Sequence, residues 1–420
     1  MPETWYQVDN VAKVFLASIT RRDPRVFRVS CTLTAPVDPA LLDAALARTA
    51  REQPQFQVTL HRGLFWHYLE SSAKQPRAVP ETLPPCAAIY GPDEKKNELL
   101  YRVSYYGCRI NVEMFHALSD GNGGLIFLKS VVRNYLQLQH PDTLANVPDD
   151  TGASNEEAGQ DSFRKYYTRG GSETQDPVNR RKSYRMRGFK LPGDQVRFLE
   201  AHLSVQQVLQ ASRAMGVTLT SFLAAAQMLA VYRQMPAVER GKAVSVSLPV
   251  NLRNYFDSQT SRNFFNSVRV GWVFDGTETL ESLARGFDAK LRRALQDDSV
   301  KARMNSYEKL ERMPGIKPVP LFIKNAVVGF FNYLESRKVT LTLSNMGRIT
   351  VRDELAPYIE GFSAFCSSDS MFTTVCSYGD DLVLGTTWAY RGTAVLRDFY
   401  RSLADAGLDI TLYATEVDHE

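Results

Sequence analysis

The stretch "MFHALSDGNGGLIFLKSVV", Met114 to Val132, decides how the rest of the chain is read. It places His116 four residues before Asp120, follows Asp120 with Gly121, and passes through a glycine cluster into an apolar run. A phosphate loop fails on spacing. The glycines are Gly121, Gly123 and Gly124, a dinucleotide fingerprint needs glycine where Ile126 stands, and the Gly-Lys-Ser/Thr of a P-loop is absent. A metal site is poorly supplied, because no second histidine lies nearby and a catalytic zinc takes three protein ligands. A capped helix start fits better. Asp120 or Asn122 is a natural N-cap for "GGLIFLKSVVRNYL", whose Leu125, Leu128, Val132 and Leu136 would face a core. That accounts for the aspartate and the glycines and leaves the histidine at the end of an otherwise apolar strand. Two roles stay open for it. It is a satisfied structural residue, or a base that takes a proton from a hydroxyl or amine, with Asp120 fixing the loop and Gly121 allowing the turn.

Working outward, "VFRVSCTLTAPV" (26–37) is rich in β-branched residues and predicts a strand. Asp38 and Pro39 then open a helix as N-cap and first residue, with Leu41, Leu42, Ala45, Leu46 and Thr49 at helical spacing. "LFWHYLE" and "LLYRVSYYGCRINVEMFH" read as further strands. Residues 139–187 turn polar, first acidic and then basic, and read as a linker or surface excursion. Its run Arg180, Arg181, Lys182, Arg185 and Arg187 is read as a solvated face, the alternative being a patch for an anionic donor or an acidic carrier protein. A second α/β half begins near Phe189. It opens with a helix between Ser204 as N-cap and Gly216 as C′ residue, continues with the apolar helix "TLTSFLAAAQMLAVYRQM" and the strand "AVSVSLPVNLR", and includes the strand "KVTLTLSNMG". Three units are therefore expected: 1–140, 141–187 and 188–420.

Bulk numbers bound the rest. A chain of 420 residues exceeds one ordinary core and fits two lobes. Its composition, 44% hydrophobic and 23% charged, is that of a globular protein, and a net +4 over this length does not predict nucleic-acid binding. Five cysteines with no CxxC pair fit a reducing cytoplasm better than a disulfide scaffold. The opening "MPETWYQVDN" shows no secretory signal. "VPLFIKNAVVGFFNYLE" (319–335) falls short of the ~20 apolar residues of a membrane span and is read as a core helix. The alternative is that one of its faces meets a membrane or a lipid-like substrate.

"HALSDG" is similar to the HxxxDG motif of the chloramphenicol acetyltransferase-like superfamily. That group includes nonribosomal peptide condensation domains, plant BAHD acyltransferases, alcohol acetyltransferases and mycobacterial polyketide-associated acyltransferases. "WYQVDNVAKVF", "LSVQQVLQASRAMGVTLTSFLAAAQMLAVYR", "LPVNLRNYFDSQTSRNFFNSV" and "TLSNMG" extend the resemblance over nearly the whole chain, closest to bacterial alcohol acetyltransferase-like proteins. It implies an α/β (α+β, two-layer) architecture with two lobes forming a V around a central channel. It also implies a monomer with no tightly bound cofactor and no metal. The donor would be an acyl-CoA or a phosphopantetheine-linked thioester on an acyl carrier protein, and the acceptor a small-molecule or lipid-like alcohol.

Carried over by motif position, His116 is the general base, Asp120 a structural partner that normally pairs with an arginine, and Gly121 the turn. No acyl-enzyme is implied. The departures are specific. Phe115 stands where condensation domains carry a second histidine, and the plant DFGWG motif is absent. Gln57 stands where the arginine partner of the motif aspartate is expected, so Arg253 of "VNLR" is the substitute candidate. These departures favour O-acyl transfer over peptide condensation. N-acyl transfer and a non-catalytic carrier-binding scaffold are the alternatives. Ser344, Asn345 and Asn263 are candidates for an oxyanion donor or channel residue, with an ordinary Ser-Asn turn as the plainer account of the first two. Phe264, Phe265, Phe330, Phe331 and Tyr333 are expected in the core.

Overall fold

The computed structural model describes residues 5–91, 98–149, 154–168, 176–180, 182–311 and 319–415. Among them two main sheets form the two lobes. The first runs Ile359–Cys366, Val26–Leu33, Arg109–Phe115, Tyr101–Tyr106 and Ala78–Pro80, edge to edge. The second runs Phe265–Trp272, Val244–Asn251, Leu341–Arg348, Met371–Tyr378, Asp381–Trp388, Arg197–Ser204 and Thr411–Ala414. A small sheet of Trp5–Gln7, His67–Ser71 and Val58–Arg62 flanks the first lobe.

Local chemistry explains the helices that border these sheets. The Asp38 carboxylate accepts from the amides of Ala40 and Leu41 ahead of Pro39–Glu52, and Leu42, Ala45, Leu46 and Thr49 turn inward. Ser204 caps Val205–Ala214, and Gly216 follows in the left-handed region at φ 71°, where a side chain would be strained. Thr218 caps Leu219–Arg233, whose stretch Ser221 to Val231 is buried without interruption. A fully buried phenylalanine of that helix, Phe222, stabilises by about 3–5 kcal/mol relative to alanine.

Three expectations change. "LLYRVSYYGCRINVEMFH" is a hairpin, Tyr101–Tyr106 against Arg109–Phe115, because Gly107 takes a positive φ of 55° and reverses the chain. The helix Leu321–Ser336 is not a core helix: Leu321 is its one buried residue, and Phe330 and Phe331 face solvent. Phe264 is buried as expected, whereas Phe265 and Tyr333 line a cavity.

The stretch 141–187 carries short helices where it is described: Pro141–Leu144, Asn155–Gly159, Ser162–Tyr166 and Pro177–Arg180. In the basic run, Lys182, Arg185 and Arg187 are exposed, and Arg185 lines the cavity; Arg181 lies outside the described residues. The second half of the chain also returns a strand to the first sheet. Ile359–Cys366 pairs with Val26–Leu33, Cys366 opposite Phe27. It then lies against the second sheet, where a side chain on Gly385 would strike the Ala364 carbonyl at 1.9 Å, so glycine permits the close approach.

Candidate active site

Register brings the site together. Val26 stands opposite Phe115 on one side of its strand, and Phe27 stands opposite Cys366 on the other. The residues just beyond these pairs therefore meet: His116 N–H donates to the Arg25 carbonyl at 2.8 Å, and Ser367 N–H donates to the Val26 carbonyl at 2.8 Å. Arg25 sits at φ 59°, a left-handed conformation that only tight surroundings hold in a non-glycine residue. Its side chain pairs with Asp23 at 3.0 Å.

The His116 ring stacks on Phe15 with centroids 4.6 Å apart and meets Phe27 at 4.7 Å. Its Nε2 lies 3.8 Å from the Cys366 sulfur. Burial holds the imidazole well below its ordinary value, at about 4; Asp120 opposes that shift and Arg25 adds to it. The ring is therefore neutral at pH 7 and keeps a lone pair. Burial also pushes the Cys366 thiol far above the thiol range, so it stays protonated.

Asp120 is the N-cap of Gly121–Gln139. One carboxylate oxygen accepts from Gly123 N–H at 3.0 Å, and the other accepts from Phe264 N–H at 2.9 Å. Arg253 closes the arrangement as a fork, at 2.8 and 3.3 Å, and its remaining donors reach the carbonyls of Thr260 and Arg262. Gln57, where the arginine was expected, instead donates to the Tyr101 hydroxyl. The steric demand in the motif falls on glycines other than Gly121. A Cβ on Gly121 would meet Met346 at an ordinary 3.6 Å, whereas one on Gly123 would strike the Ser119 hydroxyl and the Ser261 carbonyl at 2.1 Å, and one on Gly124 would strike the Phe27 ring at 2.4 Å.

Asn263 is buried behind His116 and does not line the cavity. Its amide donates to the His116 carbonyl at 2.8 Å and to Asp9 at 3.1 Å. Asp9 caps Asn10–Leu16, and its burial raises the carboxyl to about 6 despite the nearby Arg262. Ser344 and Asn345 both line the cavity, inside the strand Leu341–Arg348 rather than at its end. Asn345 donates to the Thr220 hydroxyl at 2.9 Å and accepts from Gly347 N–H at 2.8 Å across a bulge. Sequence reasoning missed Asp9, Arg25 and Cys366. Asp9 carried an N-cap signal before "NVAKVF"; the other two had none, since their roles arise from strand register.

His116, Asp120, Arg253, Ser344, Asn345 and Cys366 line a cavity of about 1530 Å³ between the sheets. Phe15, Phe27 and Phe265 make its wall apolar at His116, and Val11 and Val14 also line it. Elsewhere it is charged with both signs: Lys290 pairs with Asp176 at 3.1 Å and Arg269 with Glu335 at 3.3 Å, and Arg185 and Arg293 also line it. Among the described residues no cluster of three or more His, Cys, Asp or Glu could hold a metal ion.

No family model and no curated protein matches the sequence. Solved structures match over nearly its full length. The TRI3 trichothecene 15-O-acetyltransferase from Fusarium sporotrichioides is similar at TM-score 0.63 and 11% identity, covering 96% of this chain and 94% of its own. TRI101 from F. graminearum, solved with coenzyme A and T-2 mycotoxin, is similar at 0.61 and 13%, covering 94% and 96%. The starter condensation domain of rhizomide synthetase RzmA is similar at 0.55 and 14%, covering 96% of each chain. The fold is the one these acetyltransferases and this condensation domain share. The two-lobed arrangement expected from the sequence is therefore the one observed.

Proposed function

We propose that the protein transfers an acyl group from a thioester, acyl-CoA or a carrier-protein phosphopantetheine thioester, to a hydroxyl acceptor, with His116 as general base. The observation that carries this reading is a neutral imidazole at the wall of the interlobe cavity, braced through its backbone by Arg25 and Asn263. His116 takes the acceptor hydroxyl proton as the oxygen attacks the thioester carbonyl. The tetrahedral oxyanion then collapses and expels the thiolate, which recovers the proton from the imidazolium. Ser344 is the candidate donor to the oxyanion; Asn345 is already committed to Thr220. Asp120 and Arg253 hold the loop and touch no reactant. The apolar wall at His116 favours a lipid-like alcohol, and Arg185 and Arg293 on the cavity wall are the cations offered to the phosphates of the donor.

The reading is tested by free-thiol release from acetyl- and long-chain acyl-CoA across short and long alcohols. Acceptor-dependent release is expected, and His116→Ala should lower it ~10²–10⁴-fold. Full turnover in that variant would remove His116 as the base. Because its thiol stays protonated, Cys366→Ala should keep turnover within a few-fold, about 1 kcal/mol of barrier. Loss of turnover there, with an acyl adduct on Cys366 in the wild type, would replace direct transfer by an acyl-enzyme.

A further inference from the structure

The helix Leu321–Ser336 is built the reverse of a soluble surface helix. Its inner side holds one buried residue, Leu321, and is otherwise small or polar over much of its length, with Lys324, Asn325, Val328, Gly329 and Asn332 partly buried. A Cβ on Gly329 would lie 3.0 Å from the Ala17 carbonyl, just past the helix Asn10–Leu16, so glycine brings the two helices close. Its outer side carries Phe322, Ile323, Val327, Phe330, Phe331 and Leu334, a stripe at spacings of three and four residues. Three of these phenylalanines are fully presented, Phe322 at 64%, Phe330 at 59% and Phe331 at 61% exposure.

The hairpin turn at 63–66 extends the same surface. The Leu321 amide donates to the Leu64 carbonyl at 2.9 Å and Lys324 Nζ to the Phe65 carbonyl at 3.1 Å, which fixes exposed Leu64 and Trp66 beside the helix start. Cations outnumber carboxylates around the stripe. Arg62 precedes the turn, Lys324 lies in the helix and Arg337 and Lys338 follow it, against the single helix carboxylate Glu335, which is paired with Arg269 and Lys338. No helix among the described residues is long and apolar enough to cross a membrane. An apolar aromatic stripe edged by cations suits the plane of an anionic bilayer.

We propose that this face docks the protein on an anionic membrane surface, Phe322, Phe330, Phe331 and Trp66 entering the headgroup boundary while Arg62, Lys324 and Arg337 meet lipid phosphates. Gly329, Asn332 and Tyr333 of the same helix line the interlobe cavity, so docking sets that cavity against the bilayer. The docking does not rest on acyl transfer and stands or falls separately from it.

The test is co-flotation of the full chain with vesicles of phosphatidylcholine alone or with about a third phosphatidylglycerol. Wild type should float with the anionic vesicles and leave them as salt rises. Phe330→Ser with Phe331→Ser should cut the bound fraction at least tenfold while its melting temperature holds. Lys324→Gln with Arg337→Gln should weaken binding to anionic vesicles alone. A wild type that stays in the soluble fraction at every composition overturns the proposal, as does a serine variant that floats like wild type. A wild-type dimer that the serine pair makes monomeric, with no flotation, assigns the face to a second copy. Retention of an acyl carrier protein through the face, again with no flotation, assigns it to that partner; either result overturns the membrane.

Discussion

The HALSDG loop and the helix Leu321–Ser336 border one cavity and are built by opposite rules. In the loop, both Asp120 oxygens are engaged, by two backbone amides and by both arms of Arg253. Ser119 donates to the Ser261 carbonyl at 2.5 Å, so the loop is clamped to the second lobe at several points. The helix instead turns its largest side chains to solvent. Dense buried hydrogen bonding fixes one geometry, as catalysis requires. An uncovered apolar face has no use inside the molecule and points to something outside it.

Loss of the proposed base, His116→Ala, should be the largest effect on turnover. Loss of the clamp comes next. Arg253→Met leaves the buried Asp120 charge without its guanidinium and should cost about 3–5 kcal/mol in urea unfolding, with a fall in kcat as the loop shifts. The matched control is Arg285→Met, which removes an exposed helical pair with Glu281 and should cost within about 0.5 kcal/mol. Equal costs at the two positions would erase the distinction between a clamped site and an ordinary surface.

A pH profile sharpens it further. His116 titrates near 4 in the folded protein against an ordinary 6.5, so the imidazole stays neutral at neutral and mildly acidic pH. The acid limb of kcat/KM is expected near 4 rather than near 6.5. Stability carries the same group with a definite sign. Between pH 6.5 and about 4 the unfolded chain binds a proton that folded His116 refuses, so this group's contribution is complete above 6.5 and is lost as pH falls through the window. Asp9, raised to about 6, acts in the opposite sense, its folded carboxyl taking a proton earlier than the unfolded one. The difference in stability between wild type and His116→Gln isolates the histidine. It should shrink steadily across that window and be flat above it.

What could be read beforehand follows from the range of the forces. Asp38-Pro39, Ser204 with Gly216, and Asp120 as a cap were legible because a cap is settled within four residues. Arg253 was nameable as a partner for Asp120, although only the 258–264 loop shows how it gets there. The return of Ile359–Cys366 to the first sheet was not legible, since strand pairing over hundreds of residues leaves no local mark. Cys366 and Arg25 reach His116 through that pairing and were hidden with it. The turn at Gly107 does leave a local mark, a glycine between two β-rich halves, where a positive φ reverses the chain.

Helix 321–336 was misplaced for a different reason: hydrophobicity says that a side chain leaves water, not what covers it. Leu219–Arg233 has 15 residues of similar character and is wrapped by the second sheet and by the helices Leu280–Ala294 and Ala394–Asp405. The last and smallest expected effect separates the two. Phe222→Ala opens a cavity in that wrapped helix and should cost about 3–5 kcal/mol. Phe330→Ala, on the uncovered helix, should change unfolding stability by no more than about 0.5 kcal/mol in the absence of lipid. A large cost at Phe330 without lipid would mean that another part of this chain already covers the stripe. A small one leaves its apolar surface unexplained by folding, so that its contribution must come from binding.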